Sequence, residues 1–288
     1  MAHSVIVGSG SNIPKRCITN DMLATIMETS DAWVRERTGV ETRHYVDPGT
    51  TTLDLSVPAA QQAIETAGVS PAEIDMVIYA TMTPDQYMPG NGCRLQARLG
   101  LRSIPCFDIR QQCSGFIYGM QLADAHIRAG LARTILFVGA DVHTMFMPYR
   151  QASWARLDGL VDTPMPQDEW DFNTQVRHLA VLFGDGAAAV LVQAYDGDDR
   201  GVIDQVIGSD GTDFDRLYVP GAGSRNRPYV NEGLLARGEQ WPVMDGRYVF
   251  KLATTRMAEV AHVILKRNGL TPADLSIVLM HQANLRIN

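Results

Sequence analysis

The 288-residue chain has no run of eighteen apolar residues and no basic opening segment leading into a long apolar core. The first absence excludes a membrane-spanning helix and the second a secretory leader, so the expectation is a cytoplasmic protein without a membrane span. Cysteine is scarce as well: Cys17, Cys93, Cys106 and Cys113 form no C-x-x-C pair, and the histidines do not gather at metal-ligand spacing. Neither a metal site nor a disulfide framework is therefore expected. There is no excess of basic residues, since the formal net charge is −7. That disfavours a nucleic-acid partner but leaves room for a local basic patch that receives an acidic one. What the chain does have is 45% hydrophobic side chains, enough for a large core in one large or two fused domains.

The stretch Pro105-Cys106-Phe107-Asp108-Ile109-Arg110-Gln111-Gln112-Cys113-Ser114-Gly115-Phe116 organises the rest. An apolar run over 104–109 reads as a buried strand, a polar turn follows, and the spacing predicts an amphipathic helix over 114–129 and a second strand over 134–139. Cys113 then sits at a helix start, where free N–H groups and the helix dipole favour a thiolate. Most free cysteines are inert small hydrophobes, so these residues alone leave both a nucleophile and a packing residue open.

The chain repeats itself. A helix over 56–67 ends at Gly68, and Ser70-Pro71-Ala72-Glu73 leads into an apolar strand, Met76-Val77-Ile78-Tyr79-Ala80. Carrying Gly68 onto Gly269 lays Pro71 on Pro272, Ala72 on Ala273, Glu73 on Asp274 and Val77 on Val278, after a helix over about 248–268. The period is far too long for a solenoid, so the expectation is two fused α/β halves, 1–198 and 199–288. The second half opens with Gly201-Val202-Ile203, an echo of Val5-Ile6-Val7, and has a strand at 277–280. Only ten residues follow Val278, so it reads as incomplete. Residues 145–180, rich in Met, Pro and aromatics without a period, are expected to form an ordered inserted loop.

Smaller signals take plain readings. Val5-Ile6-Val7-Gly8-Ser9-Gly10 is half of a dinucleotide fingerprint, but Ile13-Pro14 interrupts it and no third glycine comes, so nucleotide binding there is not expected. Asp185, in Phe183-Gly184-Asp185-Gly186, reads as a turn-capping carboxylate. His281, just past the strand at 277–280, stands where α/β sheets place functional groups.

Taken together, Cys113-Ser114-Gly115-Phe116, His281-Gln282-Ala283-Asn284-Leu285-Arg286, Trp33 through Arg37-Thr38-Gly39, and Gly184-Asp185-Gly186-Ala187 resemble β-ketoacyl-[acyl-carrier-protein] synthase III. The resemblance spans nearly the whole chain, apart from 145–180. It implies a thiolase-like, duplicated five-layer α-β-α-β-α fold, with the second half truncated, and a homodimer. It also implies that Cys113 accepts an acyl group from acyl-CoA, which is condensed with malonyl on acyl carrier protein, both being substrates and no cofactor being required. His281 would donate to the enolate formed on decarboxylation, as a neutral imidazole can. Trp33 and Arg37 correspond to coenzyme A-binding positions, Lys251 and Arg286 to carrier-protein docking positions, and Met88 to an acyl-channel wall contributed across the dimer. A methionine there is compatible with a primer longer than acetyl.

The family's Gly-Asn-Thr-Ser motif and its glycine-rich last segment do not occur. Loss of one oxyanion donor costs about 2.7–4 kcal/mol. Two alternatives follow: an acyl-cysteine enzyme that passes its acyl group to an alcohol or amine or joins two acyl chains, and a non-catalytic acyl-binding or dimerisation partner.

Overall fold

The computed structural model describes residues 2–197 and 199–288, so the boundary expected at residue 198 falls on a residue outside those described. In chain order the elements are β1 (His3–Asn12), β2 (Arg16–Thr19), α1 (Asn20–Leu23), α2 (Asp31–Thr38), β3 (Thr42–Tyr45), α3 (Thr52–Ala67), β4 (Met76–Ala80), α4 (Asn91–Arg98) and β5 (Cys106–Ile109). There follow α5 (Gly115–Arg128), β6 (Thr134–Asp141), α6 (Gln151–Leu157), α7 (Gln167–Ala180), β7 (Gly186–Tyr195), β8 (Leu217–Tyr218), α8 (Glu232–Ala236), β9 (Val243–Met244) and α9 (Gly246–Arg267). These elements group into two compact units, each drawn from three stretches of sequence.

The first unit comprises Met1–Arg16, His44–Val142 and Gly184–Ile207. Its five-stranded sheet has the order β1-β7-β6-β4-β5. β4 runs parallel to β5 and β6, whereas β7 is antiparallel to β6 and β1. Strand alternation divides the core. Val77 and Tyr79 of β4, with Leu136 and Val138 of β6, pack with Leu53, Ala59, Ala60, Ala63 and Ile64 of α3. Met76, Ile78, Ile135 and Phe137 point the other way, onto Met120, Ala123 and Ile127 of α5. β4 is buried on both faces, which is why it reads as an unbroken apolar run.

The glycines of β1 have a packing role. A Cβ on Gly8 would meet the Ala63 carbonyl and one on Gly10 the Ala59 carbonyl, so their bareness lets α3 lie close on the sheet. α3 begins four residues before its expected start because Thr51 and Asp54 form a capping box. The expected strand at 201–203 does not form. Val202 donates its N–H to the Ser4 carbonyl at 2.8 Å and packs beside the α5 core without entering the ladder.

The second unit comprises Cys17–Arg43, His143–Phe183 and Gly208–Asn288. The stretch expected as an inserted loop is a pair of helices, α6 and α7, held by polar contacts. The buried Glu169 carboxylate of α7 accepts the Ser153 N–H at 3.0 Å and its hydroxyl at 2.8 Å, capping the N-terminus of α6 from outside. Asn173 bonds the Ile26 carbonyl at 2.9 Å and the Ser153 hydroxyl at 2.8 Å. An apolar-period reading has nothing to detect here.

The duplicated turn holds in both places. Gly68 and Gly269 are left-handed, with φ of 65° and 67°, and each precedes a short 3₁₀ turn closed by a capping box, Ser70 with Glu73 and Thr271 with Asp274. The strands expected to follow the two turns differ. β4 forms, but residues 277–280 are not a strand, with Ile277 72% and Leu279 85% exposed. An apolar run becomes a strand only where a ladder partner takes its N–H and C=O groups, and none among the described residues does so. Apart from the five-stranded sheet, the sheets among the described residues are correspondingly small, the pair β2 and β3 and the antiparallel pair β8 and β9.

Candidate functional site

Cys113 lies between β5 and α5, in a 3₁₀ turn, Gln112–Ser114, that precedes the first residue of α5. Gln112 has a left-handed backbone, φ 44°, and the Ser114 N–H donates to the Gln111 carbonyl at 3.0 Å. Gly115 lets the helix begin close to the sheet, since a Cβ there would lie 3.1 Å from that of Ala80. The thiol thus leaves the end of a parallel strand at a sharply bent turn, the place where α/β sheets gather reactive groups.

Its electrostatics run opposite to the sequence expectation. The side chain reaches the surface of its unit. The protein crowded behind it nevertheless pushes the thiol pKa up from its ordinary value, and the Asp141 carboxylate adds to the rise. The cysteine precedes the helix instead of opening it, so burial and a like charge outweigh the helix end.

Asp141, the last residue of β6, is held by the turn after β4. Its Oδ1 accepts from the Met82 N–H at 2.8 Å and from the Thr81 and Thr83 hydroxyls, each at 3.0 Å. A carboxylate at the C-terminal end of a parallel strand is a signal that the sequence reading passed over. Asp185, expected to cap a turn, places its carboxylate on a segment remote in sequence, accepting the Val46 N–H at 2.8 Å. An open cleft of about 720 Å³ in the same unit runs along α5 past Tyr118, Asp124 and Arg128 to Ile203, and Cys113 does not line it. Met88 is 74% exposed in the loop between β4 and α4.

In the second unit, Trp33 is flanked by two cations, with Arg37 4.6 Å and Arg177 4.3 Å from its ring centroid. Arg177, on α7, also donates to the Glu28 carbonyl. The sequence reading missed it because its partner lies more than a hundred residues away. The cluster offers an indole face and two guanidinium groups, a chemistry suited to a heteroaromatic ring carrying phosphates.

The second unit also joins two of the separated motifs. Leu285 donates its N–H to the Thr38 carbonyl at 2.9 Å, and Arg286 Nε and Nη2 reach the Glu36 and Arg35 carbonyls at 2.9 and 3.3 Å. Residues 284–287 therefore cap the C-terminus of α2, a role for Arg286 that its sequence position did not announce. Asn284 shapes that turn, accepting the Arg286 N–H at 2.8 Å. His281, just before it, is exposed, and the protein around it lowers its pKa, favouring the neutral ring. Lys251 is exposed on α9. Among the described residues no group of three or more His, Cys, Asp or Glu is placed to hold a metal, and no helix is long and apolar enough to cross a membrane.

Comparison with known proteins places this geometry. Residues 107–159 and 169–211 match the sequence profile of 3-oxoacyl-[acyl-carrier-protein (ACP)] synthase III. The β-ketoacyl-[acyl-carrier-protein] synthase III of Roseiflexus sp. (strain RS-1) is 39% identical over 285 residues, covering 99% of this chain and 78% of its own. That of Acidiphilium cryptum (strain JF-5) is 40% identical over 289 residues, covering 100% and 79%. The solved structure of 3-oxoacyl-[acyl-carrier-protein] synthase III from Aquifex aeolicus VF5 superposes with a TM-score of 0.80 at 32% identity, over 100% of this chain and 78% of that one. The thiolase-like α/β fold class expected from the sequence agrees with that superposition. With identity near 39% sustained from the first strand to the turn that caps α2, the chain belongs to the β-ketoacyl-[acyl-carrier-protein] synthase III family.

Proposed function

We propose that the chain is an acyltransferase that loads an acyl group from acyl-CoA onto Cys113 and condenses it with malonyl-acyl carrier protein to a 3-oxoacyl product. The observation that carries this reading is the strand–turn–helix at Cys113, with its left-handed Gln112 and close-packed Gly115, in a chain of this family. In the first step Sγ attacks the thioester carbonyl, the carbon–sulfur bond to coenzyme A breaks, and the thiol proton ends on the departing sulfur. In the second, malonyl loses carbon dioxide, the resulting carbanion forms a carbon–carbon bond with the acyl carbonyl, and Cys113 is released. His281 donates a ring N–H to the enolate oxygen, a task for which its lowered pKa suits it.

Trp33, Arg37 and Arg177 are assigned to the nucleotide end of coenzyme A, by their stacked geometry. Lys251 and Arg286 are assigned to the acidic carrier protein, with Arg286 also capping α2. The reading includes a homodimer in which Met88 of each copy walls the acyl channel of the other, two fused thiolase-like halves at 1–198 and 199–288, and a cytoplasmic setting.

Intact-mass spectrometry after incubation with acyl-CoAs of graded chain length tests it. A mass gain of one acyl group is expected, abolished in Cys113→Ala, and discharged to a 3-oxoacyl carrier protein when malonyl-acyl carrier protein is added. Acylation that is discharged only to an alcohol, an amine or a second acyl chain would replace condensation with the alternative transfer. No acylation at any chain length would leave a non-catalytic partner.

A further inference from the structure

We propose that Asp141 is a positioning residue for Cys113, a half-buried carboxylate at the end of β6 that fixes the turn over residues 81–83, and through that turn the end of the strand that leads to the nucleophile. This role rests on Cys113 being the nucleophile, and connectivity within the first unit supports it. Asp141 Oδ1 gathers three donors from one turn, the Thr81 hydroxyl, the Met82 amide and the Thr83 hydroxyl, at 2.8–3.0 Å. Thr81 in turn donates its own N–H to the carbonyl of Ile109 at 3.2 Å, the last residue of β5 and four before Cys113. On the far side of the nucleophile, Gly115 closes against Ala80. The turn that Asp141 holds therefore bonds the chain before Cys113, and the strand residue just ahead of that turn packs against the chain after it.

The clasp is tied back into the unit by further bonds. Thr83 Oγ1 accepts the Val142 N–H at 2.9 Å, and the Thr83 carbonyl accepts the Thr52 hydroxyl at 2.5 Å. Such a network fixes one geometry, because each hydroxyl that loses its partner is left polar and buried.

The charge matters as well as the shape. Other titratable groups of the unit near this end of the sheet are engaged elsewhere. Asp85 pairs with Arg94 at 2.9 Å, Asp108 accepts the Gly92 N–H at 3.1 Å, and the Tyr79 hydroxyl bonds Ser56. Cys106, on β5, donates its thiol to the Ile104 carbonyl at 3.6 Å and is itself pushed up to about 11 by burial. Burial is the larger influence on the Cys113 thiol, and the Asp141 carboxylate adds to it with a sign that opposes thiolate formation. A thiol kept protonated at rest reacts sluggishly with stray electrophiles and carries into acyl transfer the proton that the departing coenzyme A sulfur requires.

The test is alkylation of Cys113 by iodoacetamide across a pH series, read by peptide mass in the full chain. In Asp141→Asn the alkylation curve is expected to move to lower pH, so that at neutral pH the thiol reacts about threefold faster or more. Asp141→Glu keeps the charge and is expected to keep the parent curve. Should Asp141→Asn lack a cooperative melt, Asp141→Ser, neutral and able to bond the same hydroxyls, carries the same expectation. A neutral variant that melts cooperatively with the parent curve overturns the proposal, as does a shift in Asp141→Glu equal to that of the neutral variant. Alkylation needs no turnover, so a parent that never acylates would refute the nucleophile reading while this measurement still judged the carboxylate.

Discussion

Gln112 holds a φ of 44° one residue before Cys113, a conformation that a side chain with a Cβ adopts at a cost of about 1–2 kcal/mol. Backbone strain of this kind persists only where its surroundings impose it, and here they are Thr81 behind the strand and Ala80 under the helix. A second residue is held against its preference. His143 is buried, its Nδ1 has no hydrogen-bond partner among the described residues, and its ring stacks on Phe183 with centroids 4.0 Å apart and meets Phe146 edge-on. Burial pushes its pKa down to about 4 from the ordinary 6.5. The unfolded chain therefore takes up a proton near pH 6.5 that the folded chain refuses until about pH 4. Stability is full above the upper value and falls across that window, by about 3 kcal/mol at its acid end. In His143→Leu the acid-side fall in melting temperature should flatten by the corresponding amount, as thermal melts from pH 7 to 4 would record. An unchanged slope would show that other groups govern it.

Among the elements, α2 shows how two distant motifs become one piece of structure. Ser30 caps its start by accepting the Trp33 N–H, and the carbonyls at its end go to Gly39, Leu285 and Arg286. Gly39 is needed on two counts: its φ is 75°, and a Cβ would lie 2.6 Å from that of Leu285. Gly39→Ala should lower stability by about 1–2 kcal/mol through backbone strain alone. It should also push residues 284–287 off α2 and slow the malonyl-dependent discharge of the acyl group through the displaced His281, with loading of Cys113 unchanged. Thermal melts and discharge time courses would check both, and an alanine variant that matches the parent in each would show that the turn accommodates the methyl group.

Over the whole molecule, what could be read from the residues was what local chemistry dictates. β4 announces itself as five apolar residues, the turn at Cys113 as a strand stop before a helical period, and the duplicated 3₁₀ turns as a glycine, a capping hydroxyl and a proline in the same order. What escaped depends on partners remote in sequence. The helices α6 and α7 are fixed by Glu169 and Asn173, Arg177 finds Trp33 only in the folded unit, and the apolar run at 277–280 lacks the neighbour that would make it a strand. The thiol of Cys113 belongs with these, since its pKa is raised first by burial in the folded unit and then by Asp141, which arrives from another strand.

The pairing of β1 with β7, which sets His3 against Tyr195, has a consequence for how the protein is made. During synthesis the first strand emerges long before its partner, and at about 5–20 residues per second the wait is on the order of 10–40 s. Through that interval the strand can be kept from straying only by helpers or by provisional contacts. Nascent chains arrested on the ribosome should stay protease-sensitive in their first hundred residues until β7 has cleared the exit, and protection gained earlier would mean that the sheet assembles without this inner strand.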